Sequence, residues 1–419
     1  MAWPVRRLPM VQNWDCHGCG ECCREYQVTV TDAERERIAS QGWENEPQYQ
    51  GVPLFVRTGS RRRPVYRVNT RADNTCIFLD DSGRCRIHAK FGSEAKPLAC
   101  RIYPFVLVPA GDHWRVGIRF ACPSAAENKG RPLPASLGEL RDFALALESR
   151  ERLSERPPEP PPLTLNQRVS WSDLERFNQA LLAIVDRTDS SIEHRLRQCL
   201  ALDVLCRQAQ FGAVTGRRLT EFLELVSSGL SQDVEREPDR VGRPSRIGRI
   251  LFRQAAALYA RRDTGPRRGV SARGRLALLG AALRFARGSG PVPRVHGLMP
   301  ETTFEALERP VGPLPPASES LLTRYYRVKL ESMHFFGPTN FSLPFWDGLE
   351  SLLLTFPATM WLSRAFNDRP REDAVVFALR IVDDNFGYNK LLGWRRQRWA
   401  TRLLAARGDL ARLIAWYAR

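Results

Sequence analysis

The sequence predicts an α+β protein: a small cysteine-rich domain containing a β-hairpin, then a larger all-α domain. Three observations predict it. Eight of the ten cysteines lie in the first 122 residues. Apolar strand-like runs flank a turn at residues 109–112. From residue 172 onward apolar residues recur at helical spacing, separated by Gly and Pro clusters at 263–269, 288–300 and 310–316. The expected division is a cysteine domain at 1–125, a Pro-rich linker at 126–170 and an all-α domain at 171–419.

The cysteine domain opens with Cys16-His-Gly-Cys19-Gly-Glu-Cys22-Cys23, and Cys76, Cys85, Cys100 and Cys122 follow at wide spacing. Gly18 and Gly20 let the backbone fold tightly around one point, as thiolate ligands require. Residues 28–30 and 64–68 read as short strands. Residues 105–108 and 113–120 read as a hairpin, which would deliver Cys100 and Cys122 to the same end without a long loop closure. The linker holds a short helix at 137–147 and a polyproline II spacer at 156–162.

The all-α part begins with a capping-box pattern, Ser172-x-x-Glu175. Leu174, Phe177, Leu181, Leu182 and Val185 then form one face. Helices follow at 220–230, 247–259, 276–285, 321–335, 348–366, 373–382 and 391–416. Cys199 and Cys206 are seven residues apart and share a face with Leu196, so they read as core.

Crowded cysteines imply disulfides or a metal. Disulfide frameworks belong to small secreted domains without a core. A chain of 419 residues is long enough for two or three cores. The first residues carry charge with no apolar stretch behind them, so no signal peptide is expected. The longest uncharged apolar run, 351–363, contains Pro357 and is too short to span a bilayer. Cytoplasmic location, reduced thiols and no membrane partner are expected. Metal is therefore favoured, with Cys16, Cys19, Cys22, Cys23, Cys76, Cys85, Cys100 and Cys122 as candidate ligands. Cys16-x2-Cys19-x2-Cys22 has the rhythm of bacterial ferredoxins, and Cys122-Pro123 has the look of the fourth ligand, with Cys76, Cys85 and Cys100 competing for the role. Four-thiolate zinc is the alternative, and eight thiols are enough for two sites. His17 and His88 read as neighbours of the site rather than ligands. Arg101 and Tyr103 are expected at the cofactor, because a guanidinium stabilises thiolate charge and a phenol can donate to sulfur.

The cysteine opening, then Cys76-Ile-Phe-Leu-Asp80, Gly83-Arg-Cys85-Arg-Ile87 and Pro97-Leu-Ala-Cys100-Arg-Ile-Tyr103-Pro104, resembles the YkgJ-type cysteine-cluster proteins over residues 14–124. That family is described as a zinc- or iron-chelating domain. Lys96 stands where short members carry arginine, and the spacer between Cys85 and Tyr103 is longer. This spacer resembles the flagellin lysine N-methylase branch, as does the overall length with its helical second half. The resemblance implies an iron–sulfur (4Fe-4S) protein that uses S-adenosylmethionine to methylate lysines of a protein substrate, flagellin-like or other. The competing reading is a non-catalytic, zinc-stapled binding module.

The net charge is +17, nearly all from arginine. Arg240, Arg243, Arg246, Arg249 and Arg253 recur every three or four residues. The segment offers only Phe252 and Tyr259 for stacking bases, so a solvated face is expected and nucleic acid is not. No Rossmann donor loop is present: Gly288-Ser-Gly290 reads as a loop, and the aromatic stretch Tyr325–Trp346 as core. No Ser-His-Asp arrangement, P-loop or zinc-hydrolase motif appears, and no catalytic residue is assigned.

Overall fold

The computed structural model describes residues 3–60, 63–151, 153, 155, 157–212, 214–265 and 267–419. Among these, six strands form two three-stranded sheets near the N-terminus, and the rest of the ordered chain is helical. The expected α+β class is the observed one. No helix among the described residues is long and apolar enough to cross a membrane.

The first sheet has the order β1-β6-β5. β5 (Phe105–Ala110) and β6 (His113–Ile118) form the expected hairpin, with Phe105 opposite Ile118. β1 (Val5–Arg7) adds to β6 in parallel, which the sequence did not suggest. The second sheet has the order β2-β4-β3, built from β2 (Thr29–Val30), β3 (Phe55–Ser60) and β4 (Arg63–Val68).

Two hydrophobic cores result. The smaller gathers Val30, Ile38, Trp43, Tyr49, Val68, Phe78 and Ile87 under the second sheet. Trp43 anchors it, with Phe78 at 5.0 Å and Tyr49 at 5.3 Å between ring centroids. Helix Asp32–Ala39 closes this lobe behind a full capping box of Thr31 and Glu34. The larger core takes the hairpin, through Phe105, Leu107, Trp114, Val116 and Ile118, together with the helices from Leu137–Glu151 onward. Packing thus places the hairpin with the helical body, and the small lobe occupies roughly residues 28–95.

Several helices differ in detail from expectation. The cap of helix Trp171–Val185 is Ser170, which accepts from the Asp173 amide, not Ser172. The stretch 348–366 is two helices, Phe345–Leu353 and Thr355–Ser363. Pro357 supplies no amide, so the second helix must start afresh at Thr355, with proline in its first turn. The stretch 391–416 divides into Arg395–Ala406 and Asp409–Tyr417 at Gly408, whose φ of 69° is left-handed. Cys199 and Cys206 are buried in the large core on helix Ile192–Gln208, and burial pushes each thiol up to about 12. Tyr325, Tyr326, Phe335, Phe345 and Trp346 are core too.

Candidate metal centre

Six of the cysteines line one cavity where the small lobe joins the body. The 16–23 loop turns through Gly18 and Gly20, both at positive φ, into the short helix Glu21–Glu25 that carries Cys22 and Cys23. This loop lies directly against the turn before Cys85. A Cβ on Gly20 would sit 3.0 Å from the Gly83 carbonyl, and one on Gly83 would sit 3.2 Å from the Gly18 carbonyl. Only glycine permits that approach. The Cys76 amide donates to the Cys23 carbonyl at 2.9 Å, which pins a third segment to the loop. Cys85 precedes helix Arg86–Phe91, and Cys100 lies on helix Leu98–Ile102.

Six of the eight cysteines, Cys16, Cys22, Cys23, Cys76, Cys85 and Cys100, line one cavity of about 950 Å3. Cys100 shares its electrostatic surroundings with Cys76, Cys22 and Cys85. Burial pushes the Cys76 thiol up to about 11 and the Cys100 thiol higher still. Cys22 is raised first by its hydrogen bond with Cys23 and then by burial. Left alone, these groups stay protonated at neutral pH, because a buried thiolate lacks solvation. A bound cation is what would ionise them, so the donor set suits a thiophilic metal. Among the described residues no three His, Cys, Asp or Glu side chains already converge as a finished cage.

Cys19 and Cys122 stand apart. Cys19 is exposed, and Cys122 is buried in the body beside Trp14, with Cys19 the thiol that acts on it. The hairpin does place Cys100 and Cys122 beyond its open end, but Cys100 faces the cavity and Cys122 the core. His88 and His17 also line the cavity. Burial lowers the His88 pKa, and Nδ1 of His17 is 2.8 Å from Ser124 Oγ.

Arg101 turns away from the thiols: Nη2 is 2.5 Å from Glu94 Oε1, and the side chain is absent from the cavity wall. Tyr103 lines the wall, its ring 5.2 Å from that of Tyr26. Burial raises both phenols, so they remain donors.

Sequence reasoning missed the polar clamp behind these tyrosines. Tyr26 Oη donates to Asp384 Oδ1 at 2.6 Å, and Arg119 Nη2 reaches the same oxygen at 2.6 Å. Arg262 pairs with Asp384 Oδ2 and with Glu25 Oε2, the latter at 2.9 Å. Arg267 pairs with Glu21 Oε2 at 2.9 Å. The clamp thus ties the cysteine helix to residues more than 200 positions away. Glu21 within the cysteine motif and Glu25 just after it were its local signal.

Fold and site define a class of protein: a cysteine-cluster domain built onto a helical body. Residues 15–126 match the family model for the CxxCxxCC domain, described as "Putative zinc- or iron-chelating domain". The match covers about a quarter of the chain. No curated protein and no solved structure matches the chain.

Proposed function

We propose that the cysteines hold a metal centre between the small lobe and the helical body, either zinc or, following the ferredoxin-like spacing, a 4Fe-4S cluster. The six cavity cysteines are the candidate ligands, with exposed Cys19 completing the Cys16-x2-Cys19-x2-Cys22 run and Cys122 facing the core. One observation carries the reading: six cysteines from four separate stretches line one cavity. Bound metal supplies the positive charge that keeps the buried thiolates ionised, and it joins two cores that otherwise meet through hydrogen bonds and the clamp. Reduced thiols suit a cytoplasmic setting.

The finer reading is methyl transfer from S-adenosylmethionine to lysine side chains of a protein substrate, as the resemblance to flagellin lysine methylases implies. The cavity supports it. Its volume lies near the top of the roughly 300–1,000 Å3 range of small-molecule pockets, while a metal with ligand bonds of about 2.3 Å fills little of it. Tyr26, Tyr103 and Phe78 offer rings to a sulfonium. Arg84 and Lys96 offer charge to a carboxylate, and no lining residue among those described is acidic. In the transfer, the lysine amine attacks the methyl carbon, the carbon–sulfur bond breaks toward sulfur, and the amine loses a proton. His17 and His88 are the lining bases available to accept it.

Purification without oxygen, followed by metal and acid-labile sulfide analysis and by calorimetry with S-adenosylmethionine, tests both levels. The expected result is iron with sulfide, and donor heat that disappears when the metal is stripped. Stoichiometric zinc without sulfide, and no donor heat in either state, would leave the non-catalytic zinc-stapled module.

A further inference from the structure

We propose that the outer face of helix Arg275–Arg287, with the helix packed beside it, is a docking surface for an anionic lipid membrane. It is independent of the metal reading.

The first observation is charge segregation. Residues 243–300 hold thirteen arginines and a single acidic residue, Asp263, which amounts to twelve of the chain's seventeen net positive charges. That one carboxylate is already taken by Arg261, at 2.7 Å. The remaining 361 residues are close to neutral in balance. Nine of the thirteen arginines are exposed, whereas Arg262 and Arg267 answer carboxylates of the clamp, and a merely solvated face has no reason to concentrate so much of the excess in one seventh of the chain.

The second observation is where the apolar residues of this segment point. Helix Arg275–Arg287 is fixed to helix Arg246–Ala260: Gln254 Nε2 donates to the Ala282 carbonyl at 2.7 Å, and Arg253 Nε to the Phe285 carbonyl at 2.9 Å. Ala281 and Phe285 face inward and are buried. Leu276, Leu279 and Leu283 face outward, 85%, 60% and 65% exposed. Their spacing of three and four places them in one stripe along the helix. Exposed Arg275, Arg284 and Arg287 flank the stripe. The neighbouring helix adds exposed Ile247 and Ile250, with exposed Arg246 and Arg249 beside them. Five exposed aliphatic side chains set among arginines exceed the scattered single exposures normal on a surface.

The chemistry selects the partner. A nucleic-acid surface would present rings for stacking, yet Phe252, Tyr259 and Phe285 are all buried. Leucines this exposed project from the surface and do not line a groove. Projecting aliphatics enter the headgroup–acyl boundary while guanidinium groups around them meet lipid phosphates, the pattern of interfacial helices on anionic membranes. The expectation of no membrane partner rested on the absence of a spanning segment, and a surface contact needs none.

The test is co-sedimentation of the full chain with phosphatidylcholine vesicles, with and without phosphatidylserine, at rising sodium chloride. Binding is expected only to the phosphatidylserine vesicles, weakening with salt. Leu276→Ser/Leu279→Ser/Leu283→Ser should bind about a hundredfold more weakly, with an unchanged circular dichroism spectrum because these side chains lie on the surface. Arg275→Gln/Arg284→Gln/Arg287→Gln, at roughly fivefold per arginine, should lose a comparable factor. Absence of vesicle binding by the wild type, or full binding by the serine variant, overturns the proposal. So does a wild type that sediments as a dimer and becomes monomeric in the serine variant, since a second copy then covers the stripe. Tight binding to a short RNA, undiminished in the serine variant and without vesicle binding, overturns it as well.

Discussion

Asp384→Ala removes the centre of the clamp behind the cysteine cavity. The carboxylate receives Tyr26 Oη and Arg119 Nη2, both at 2.6 Å, and pairs with Arg262. Arg262 keeps other partners after the change: Glu25 Oε2 at 2.9 Å and the Thr264 carbonyl at 3.2 Å. Arg119 keeps the residue-384 carbonyl, at 3.2 Å, and aromatic rings, that of Tyr388 3.8 Å and that of Tyr26 5.0 Å from its guanidinium carbon, but no carboxylate pair among the described residues. Arg119 is buried, so its charge is left without its carboxylate partner at the wall of the cavity. Breaking a buried pair in this way costs about 3–5 kcal/mol, a large fraction of the roughly 5–15 kcal/mol that holds a typical domain together. Asp384→Asn keeps the shape and one acceptor, and should cost about 1.5–3 kcal/mol. The assay is urea unfolding of metal-free protein, read by circular dichroism for the body and by tryptophan fluorescence for the small lobe around Trp43. The double variant Arg119→Met/Asp384→Leu, which removes both charges, should recover much of the loss. A loss below about 1 kcal/mol in Asp384→Ala, or a double variant worse than the sum of its singles, would refute the assignment of Arg119 as a buried charge held by Asp384.

Further predictions concern the cysteines, the glycine contact and a buried acid pair. Cys22→Ser and Cys100→Ser should lose metal, measured by elemental analysis, while Cys199→Ala should retain all of it; metal loss in Cys199→Ala alone would reverse the ligand assignment. Gly20→Ala forces a Cβ into a left-handed residue 3.0 Å from the Gly83 carbonyl, so about 1–2 kcal/mol of backbone strain should appear as weaker metal retention against a chelator. Burial raises the carboxyls of Asp203, to about 7, and Glu350, with Arg207 opposing the shift at both. The folded state then binds more protons than the unfolded chain, in which Asp203 titrates near 3.8. This contribution is full below that value and disappears as pH rises through about 7. Asp203→Asn should flatten the fall of the urea midpoint between about pH 5 and pH 8; an unchanged slope would mean that the pair holds no extra proton.

Much of the architecture was determined locally. The hairpin was legible because strand alternation and a turn are properties of neighbouring residues, and β5 and β6 fall where that pattern puts them. Most helices in the second half were legible through their apolar period. The cysteine motif marked a metal site because its glycines and thiols are closely spaced, and those glycines do make the contact between the 16–23 loop and the turn at Gly83. Helix ends were less legible. Ser170 and Ser172 both look like caps, and the choice depends on which one places its oxygen over a free amide.

Only the tertiary structure decided which parts share a core and what lies behind the site. Nothing local to residues 105–118 says that their buried side faces the helices and not the small lobe, since alternation shows that a face is buried but not against what. Cys100 and Cys122 carry the same side chain beyond the two ends of one hairpin, yet one faces the cavity and the other the core. Asp384 reaches Tyr26 across 358 residues, and no periodicity or spacing records such a pair. Local pattern sets secondary structure through short-range sterics and hydrogen bonding. The partner of a buried charge is set by how whole elements pack, and a single sequence leaves no trace of that.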